Sequence, residues 1–289
     1  MIKQKAFAKV NIGLDVLRRR PDGYHELKMI MQTVDICDDL CFEKTNESGI
    51  HLRIDGADLP ADESNLAYRA AALIMEEKQI REGVSVTLKK RIPIAAGMAG
   101  GSADAAAVMR GLNALFEMDY SVEDLQKLGV KLGADIPYCI LGGTMLSEGI
   151  GEVLTPLPAP PECHLVVAKP DIDVSTAFVY RNLQVDRLSF HPDIDGMAEA
   201  LAAGDLKGIT DRMGNVLETV TVREYPVIDK IKRRMCELGA ENALMSGSGP
   251  TVFGIYKEKE LAENAAEAFK EEKLAGTVFA TRFCEGVNA

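Results

Sequence analysis

Three glycines, Gly97, Gly100 and Gly101, fall within five positions of one another, and a run of small residues rich in alanine follows from Ser102. Glycine lets the main chain take turns that a side chain forbids and lets a ligand approach backbone N–H groups closely. A helix beginning at Ser102 would turn its free N–H groups and the positive end of its dipole toward the same place, and the Ser102 hydroxyl adds to them. That is the chemistry of a phosphate site. A tight turn into a helix would use the same residues. No Gly-Lys dipeptide and no G-x-G-x-x-G spacing occurs, so a Walker P-loop and a dinucleotide fingerprint are both absent. A second cluster, MSGSGPTVF from Met245 to Phe253, reads as a hairpin turn or as a loop that packs on the first and completes the enclosure of phosphates.

Two charged residues stand where their surroundings do not ask for charge. Lys9 interrupts an apolar strand, and Asp135 sits in the segment Gly-Ala-Asp-Ile-Pro. A carboxylate within hydrogen-bond reach of an alcohol can accept its proton during phosphoryl transfer. A nearby ammonium can orient that carboxylate, keep it ionised and offset charge on the transferring group. Otherwise Lys9 is an outward strand lysine and Asp135 caps backbone amides.

These residues need elements to hold them. Residues 5–17 read as a strand through Phe7, Val10, Ile12, Leu14 and Val16, and PDGYH at 21–25 as a turn. Strands are expected at 27–36, 39–44, 50–55 and 84–88. Ser64-Asn65 can cap a helix over about 66–79, and further helices are expected at about 102–116 and 122–132. The second of these opens on Ser121 with Asp124 three residues on, a capping-box spacing. Four of the twelve prolines lie in TPLPAPPE, 155–162, which marks a boundary between halves 1–154 and 155–289. The second half reads as a strand at 164–169, a helix near 175–182, three helical stretches between 193 and 239, strands at 242–246 and 251–256, a helix at 258–271 and a strand at 277–283. Runs of strands followed by runs of helices indicate an α+β fold of two associated domains.

The 33 basic and 44 acidic residues leave a net charge of −11, which disfavours a general binder of nucleic acid or anionic membranes. The first thirty residues are an exception: Lys3, Lys5, Lys9, Arg18, Arg19, Arg20 and Lys28 face only Asp15, Asp22 and Glu26. They form a solvated face or meet a phosphorylated ligand. Six scattered cysteines without a CxxC pair point to reduced thiols in the cytoplasm and to no structural metal site. The opening MIKQKAFAKVNIGLDV has no signal-peptide apolar core. The longest uncharged run, Asn242 to Tyr256, has 15 residues, short of the roughly 20 that a membrane span needs. A soluble protein is expected.

Three stretches together resemble a known family. PIAAGMAGGSADAAA resembles the central motif of the GHMP kinases, MSGSGPTVFG their C-terminal motif and KAFAKVNIGLDV their first. The stretches at 22–25, Asp-Gly-Tyr-His, and 133–138, Gly-Ala-Asp-Ile-Pro-Tyr, resemble the branch of that family that acts on a cytidine diphosphate-linked methylerythritol. The resemblance implies a two-domain fold, with an N-terminal ribosomal protein S5 domain 2-like half and a C-terminal ferredoxin-like half. It implies a kinase that uses ATP and Mg²⁺ to phosphorylate the 2-hydroxyl of that alcohol on the non-mevalonate route to isoprenoid precursors. By the same resemblance Lys9 and Asp135 are the catalytic pair. Pro93, Ile94, Ala95, Ala96, Gly97, Met98, Ala99, Gly100, Gly101, Ser102 and Ala103 form the ATP phosphate site, and Asn11, Tyr24, His25 and Tyr180 hold the substrate, with Phe178 competing with Tyr180. Met98-Ala99 and Ala103 replace the Leu-Gly and second Ser of many relatives, which removes one possible hydroxyl ligand. No acidic Mg²⁺ ligand stands out.

Two other readings remain. One is a GHMP kinase for homoserine or a mevalonate derivative, which has no use for an aromatic–His pair. The other is a catalytically silent nucleotide-binding protein, which would not need Lys9 and Asp135.

Overall fold

The computed structural model describes residues 1–286; the last three residues of the expected second half lie outside the described residues. The chain opens with β1 (Ile2–Arg19), which turns through Gly23 into the antiparallel β2 (His25–Thr45). Gly23 sits at φ +89, and the turn closes with Arg20 N–H donating to the Tyr24 carbonyl at 2.8 Å. In place of the two strands expected at 27–36 and 39–44, β2 is one strand of 21 residues. The polar Asp38 does not break it, because its carboxylate is buried and accepts the backbone N–H groups of Arg91 and Ile92.

Next come β3 (Ile50–Asp55), α1 (Leu66–Glu77), β4 (Gly83–Lys89), α2 (Gly100–Leu115), α3 (Val122–Gly129), α4 (Ile136–Leu141), β5 (Thr144–Gly149) and β6 (Val153–Pro156). The Asn65 side chain caps α1, and both hydrogen bonds of the Ser121–Asp124 capping box are formed at α3. Helix α4 and strands β5 and β6 are too short and glycine-bounded to show a period in the sequence. The sheet runs β3-β4-β2-β1, with β5 pairing the first half of β2 and β6 pairing β5.

From β7 (His164–Lys169) the chain continues through α5 (Thr176–Asn182), α6 (Ile194–Ala203), α7 (Leu206–Asp211), β8 (Gly214–Asn215), α8 (Glu218–Glu224), α9 (Val227–Glu237), β9 (Asn242–Met245), β10 (Val252–Tyr256), α10 (Lys259–Glu272) and β11 (Thr277–Thr281). Four helices stand between 193 and 239 where three were expected. Gly204, left-handed at φ +64, ends α6 and lets α7 begin two residues later. A second, antiparallel sheet has the order β11-β7-β10-β9. The two-residue β8 crosses over and pairs parallel with Gly13 and Leu14 of β1. This is the α+β architecture expected from the order of elements.

The core face of β1 is Ala6, Ala8, Val10, Ile12, Leu14 and Val16, all nearly inaccessible. Phe7 lies off that face, since alternation in a strand sends odd and even positions to opposite sides. Lys9 and Asn11 share the other side, next to bulges at Phe7/Lys9 and Asn11/Gly13 that bend β1. The alanines of α2 (Ala103, Ala105, Ala106, Ala107) let that helix lie directly on β1 and β2. At Gly111 a Cβ would run into the ring of Phe42. Gly111→Ala is therefore expected to destabilise the fold by about 1–3 kcal/mol through overpacking, although alanine is the better helix former. Thermal denaturation checks this; an unchanged or higher Tm would mean that the ring has room to move.

Candidate active site

A cavity of about 990 Å³ opens between β1, the start of α2, the start of α4 and α5. Its floor is the stretch from Pro93. Ala95, Gly97 and Ala99 all have positive φ, at +50, +67 and +56. Only one of the three is glycine, so the chain holds two alanines in a backbone region that side chains disfavour, a condition that clusters at functional sites. Gly100 and Gly101 already belong to α2, which begins two residues before the expected Ser102. A Cβ at Gly101 would meet nothing within 4 Å. Gly101 borders the cavity, so its lack of a side chain leaves room for a ligand and not for a neighbouring residue.

The second glycine cluster does both things the sequence left open. It is the turn of the β9–β10 hairpin, and it packs on the first loop. Ser246 Oγ donates to the Gly97 carbonyl at 2.9 Å. Asn215, brought in by β8, donates from Nδ2 to the carbonyls of Met245 and Gly247, both at 2.8 Å. Ser248 meets Thr176 of α5, oxygen to oxygen at 2.8 Å, and Gly247, Ser248 and Thr176 all border the cavity.

Lys9 is 5% exposed, and its ammonium donates to Asn11 Oδ1 at 2.6 Å. Its backbone N–H donates to the Met98 carbonyl at 3.1 Å, which ties β1 to the glycine-rich loop. Asp135 stands at the N-cap position of α4 but makes no capping bond. Among the described residues no ion pair within 4 Å joins Lys9 to Asp135: the lysine is held by Asn11, and the carboxylate is left free. Both border the same cavity. Helix α4 itself is anchored by the Tyr138 hydroxyl, which donates to the Gly143 carbonyl at 2.8 Å. A second anchor is Arg110, which donates to the Cys139 carbonyl at 2.9 Å.

At the far end Tyr24 is exposed, and the ring of His25 lies 5.2 Å from that of Tyr180, tilted by 34°. Burial first, and the neighbouring Arg19 second, hold His25 below the ordinary histidine value, which favours the neutral ring. A neutral imidazole offers one donor and one acceptor. Burial and the Asp135 carboxylate push the Tyr180 hydroxyl up. Phe178, the competitor of Tyr180, is 38% exposed and stands outside the cavity wall.

Lys9, Asn11, Tyr24, His25, Asp135 and Tyr180 therefore share one cavity with Pro93–Gly97 and Ala99–Ser102. Met98 and Ala103 do not: both side chains are 1% exposed in the core, and Met98 takes part only through its carbonyl. Sequence reasoning missed Lys90, Asp104, Arg181 and Thr176, which also border the cavity, as does Arg19 of the basic N-terminal segment. A lysine at the end of a strand and an aspartate inside an alanine-rich helix carry no spacing that marks them.

Comparison with known proteins agrees with this geometry. Residues 65–143 match the GHMP kinases N terminal domain and residues 197–275 the GHMP kinases C terminal domain. The 4-diphosphocytidyl-2-C-methyl-D-erythritol kinase of Lachnoclostridium phytofermentans is 50% identical over 288 residues, covering 100% of this chain and 99% of that one. A crystal structure of 4-(cytidine 5'-diphospho)-2C-methyl-D-erythritol kinase superposes with a TM-score of 0.84 at 37% identity, over 98% of this chain and 99% of that one. Homoserine kinase from Cytophaga hutchinsonii shares the fold at 22% identity, with a TM-score of 0.76 over 96% and 92% of the two chains. The glycine-floored cradle, the second loop locked against it and the full-length identity lead to one assignment: the chain belongs to the GHMP kinase family, in its group of 4-diphosphocytidyl-2-C-methyl-D-erythritol kinases.

Proposed function

We propose that the chain transfers the γ-phosphoryl group of ATP to the 2-hydroxyl of 4-diphosphocytidyl-2-C-methyl-D-erythritol, on the non-mevalonate route to isoprenoid precursors. The observation that carries this reading is a single cavity with three fittings. It contains an open cradle at Gly101, a carboxylate at Asp135 that makes no capping bond, and an aromatic–imidazole end at Tyr24, His25 and Tyr180. ATP lies with its phosphates over residues 97–102, where the amides of the first turn of α2 meet them. Asp135 accepts the hydroxyl proton while the substrate oxygen bonds to the γ-phosphorus and the bond to the bridging oxygen breaks, releasing ADP. Lys9, held in place by Asn11, offsets the charge on the transferring group.

Mg²⁺ goes with this reading: bound with the nucleotide, it would offset the charge of the phosphates. Among the described residues no group of three or more His, Cys, Asp or Glu could cage an ion. That fits a cation carried by the triphosphate and its own waters. A cytoplasmic setting also belongs to the proposal. The six cysteines are free thiols, and among the described residues no helix is long and apolar enough to cross a membrane.

An ADP-release assay across alcohols tests the assignment. Turnover is expected with the cytidine substrate and not with homoserine or mevalonate; turnover with either of those at a comparable rate would overturn it. Stacking a base on an aromatic ring is worth about 1–3 kcal/mol. Tyr180→Ala is accordingly expected to raise KM for the cytidine substrate about tenfold, or more, with KM for ATP unchanged. Steady-state kinetics in both substrates read this, and an unchanged cytidine KM would remove Tyr180 from the base site.

A further inference from the structure

A buried charge cluster lies beside the phosphate cradle and takes no part in the chemistry above. Lys90 donates from Nζ to Asp38 Oδ2 at 2.5 Å and to Asp104 Oδ2 at 2.7 Å. All three side chains are at most 5% exposed. Asp38 Oδ1 also accepts the backbone N–H of Arg91 and, at 2.9 Å, that of Ile92. Among the described residues Asp104 Oδ1 is buried without a hydrogen-bond partner.

As a device for stability alone this is a poor arrangement. A buried ion pair barely recovers its desolvation cost, and here two carboxylates share one ammonium with an oxygen left over. Burial pushes the Asp104 carboxyl well above the usual carboxylate range. Lys90 is held above its ordinary value, against the cost of burial, by Asp104 and Asp38. What the cluster does achieve is geometric. Its members sit at residues 38, 90–92 and 104, and the last two positions bracket the loop 93–103. Asp38 fixes the backbone that enters the loop, and Lys90 links that entry to the helix that leaves it. Gly100 shows how close the fit is: a Cβ there would press on Ile92 Cγ2 at 2.9 Å and lie 3.6 Å from Lys90 Nζ. One glycine of the motif is thus required by this packing, whatever the ligand asks of it.

We propose that Asp38, Lys90 and Asp104 form a brace that holds the glycine-rich loop by both ends in the shape that receives ATP. Asp38 is a positioning residue, whereas Lys90 and Asp104 also border the cavity. Asp38 is fully buried and does not border the cavity, so it acts on ATP only through the loop. The proposal rests on the reading of residues 93–103 as the phosphate loop. Preorganisation lowers the cost of binding, and loss of binding common to ground state and transition state raises KM while sparing kcat.

The test is Asp38→Asn, with a charge-balanced double variant, Lys90→Met with Asp38→Asn, that removes one charge of each sign and leaves Asp104, whose carboxyl burial already pushes toward its neutral form. In Asp38→Asn, KM for ATP and the Kd for β,γ-imido-ATP by calorimetry are expected to rise about tenfold or more, with kcat and the KM of the alcohol changed less than about threefold. The double variant is expected to melt within a few degrees of the parent and still bind the nucleotide analogue about tenfold more weakly. Recovery of nucleotide affinity together with Tm in the double variant would reduce the cluster to a buried charge pair and overturn the brace. If Asp38→Asn does not fold, the double variant decides alone. Gly97→Ala serves as the control: nucleotide affinity lost there but kept in both brace variants rejects the brace, whereas affinity kept in all three rejects the loop reading beneath it.

Discussion

Asp135→Asn is expected to lower kcat by two to four orders of magnitude while leaving the Kd for ATP within about twofold. A positioned base contributes about 10²–10⁴-fold to a proton transfer, and an amide of the same shape cannot take the proton. The structure makes this substitution unusually clean. The Asp135 side chain makes no capping bond at α4, so asparagine breaks nothing that holds the helix. The helix keeps its anchors through Tyr138 and Arg110. Single-turnover phosphoryl transfer, with nucleotide titration and a melting curve on the same sample, separates chemistry from binding and folding. Near-normal turnover would show that the proton leaves by another path and that Asp135 is a bystander.

The second large effect lies at Gly97. Its φ of +67 costs any L side chain about 1–2 kcal/mol. A Cβ would also collide with the Ser246 carbonyl oxygen and press on Gly249 O and N at 3.1 and 3.2 Å. These are backbone atoms of the second loop, held by Asn215 and by the hairpin, so they cannot swing aside as a flexible side chain would. Overpacking of this kind costs a further ~1–3 kcal/mol. Gly97→Ala is expected to lower Tm by roughly ten degrees and to weaken ATP binding at least tenfold.

Gly101→Ala supplies the contrast. It is helical with open space at its Cβ position, so alanine keeps or slightly raises stability. The added methyl group nonetheless intrudes where the phosphates approach, and ATP affinity falls. Calorimetric melting and nucleotide titration of both variants check the pair. A stable Gly97→Ala protein with full affinity would mean that the two loops are not locked together.

The element reading followed from local patterns because those patterns are local. Asn65 and the Ser121–Asp124 pair announce helix starts within a turn, and the period along α1 and α10 repeats for several turns. The strands at 50–55 and 164–169 were found to the residue. The strands expected at 27–36 and 39–44 leave out Cys37 and Asp38, which the structure includes in one continuous β2. Nothing within the strand reveals that the amides of Arg91 and Ile92, more than fifty residues on, will take up the charge of Asp38.

The sequence alone determined the chemical repertoire: a glycine-rich stretch before an alanine helix, a second glycine loop, a lysine in an apolar strand and an aspartate before a proline. Residue types and short spacings carry that information, since backbone freedom and charge are properties of single residues. Only the tertiary structure decided which of them meet. It put the left-handed positions at Ala95, Gly97 and Ala99 and the ligand-facing gap at Gly101, and it withdrew Met98 and Ala103 into the core. It gave Lys9 to Asn11 and left Asp135 without a capping bond, and it chose Tyr180 over Phe178 for the cavity wall. Each of these outcomes depends on a partner distant in sequence, reached through the crossing of β8, the bulges of β1 or the packing of α2 on the sheet. The pairing is set by the whole chain closing on one core, which no local window contains.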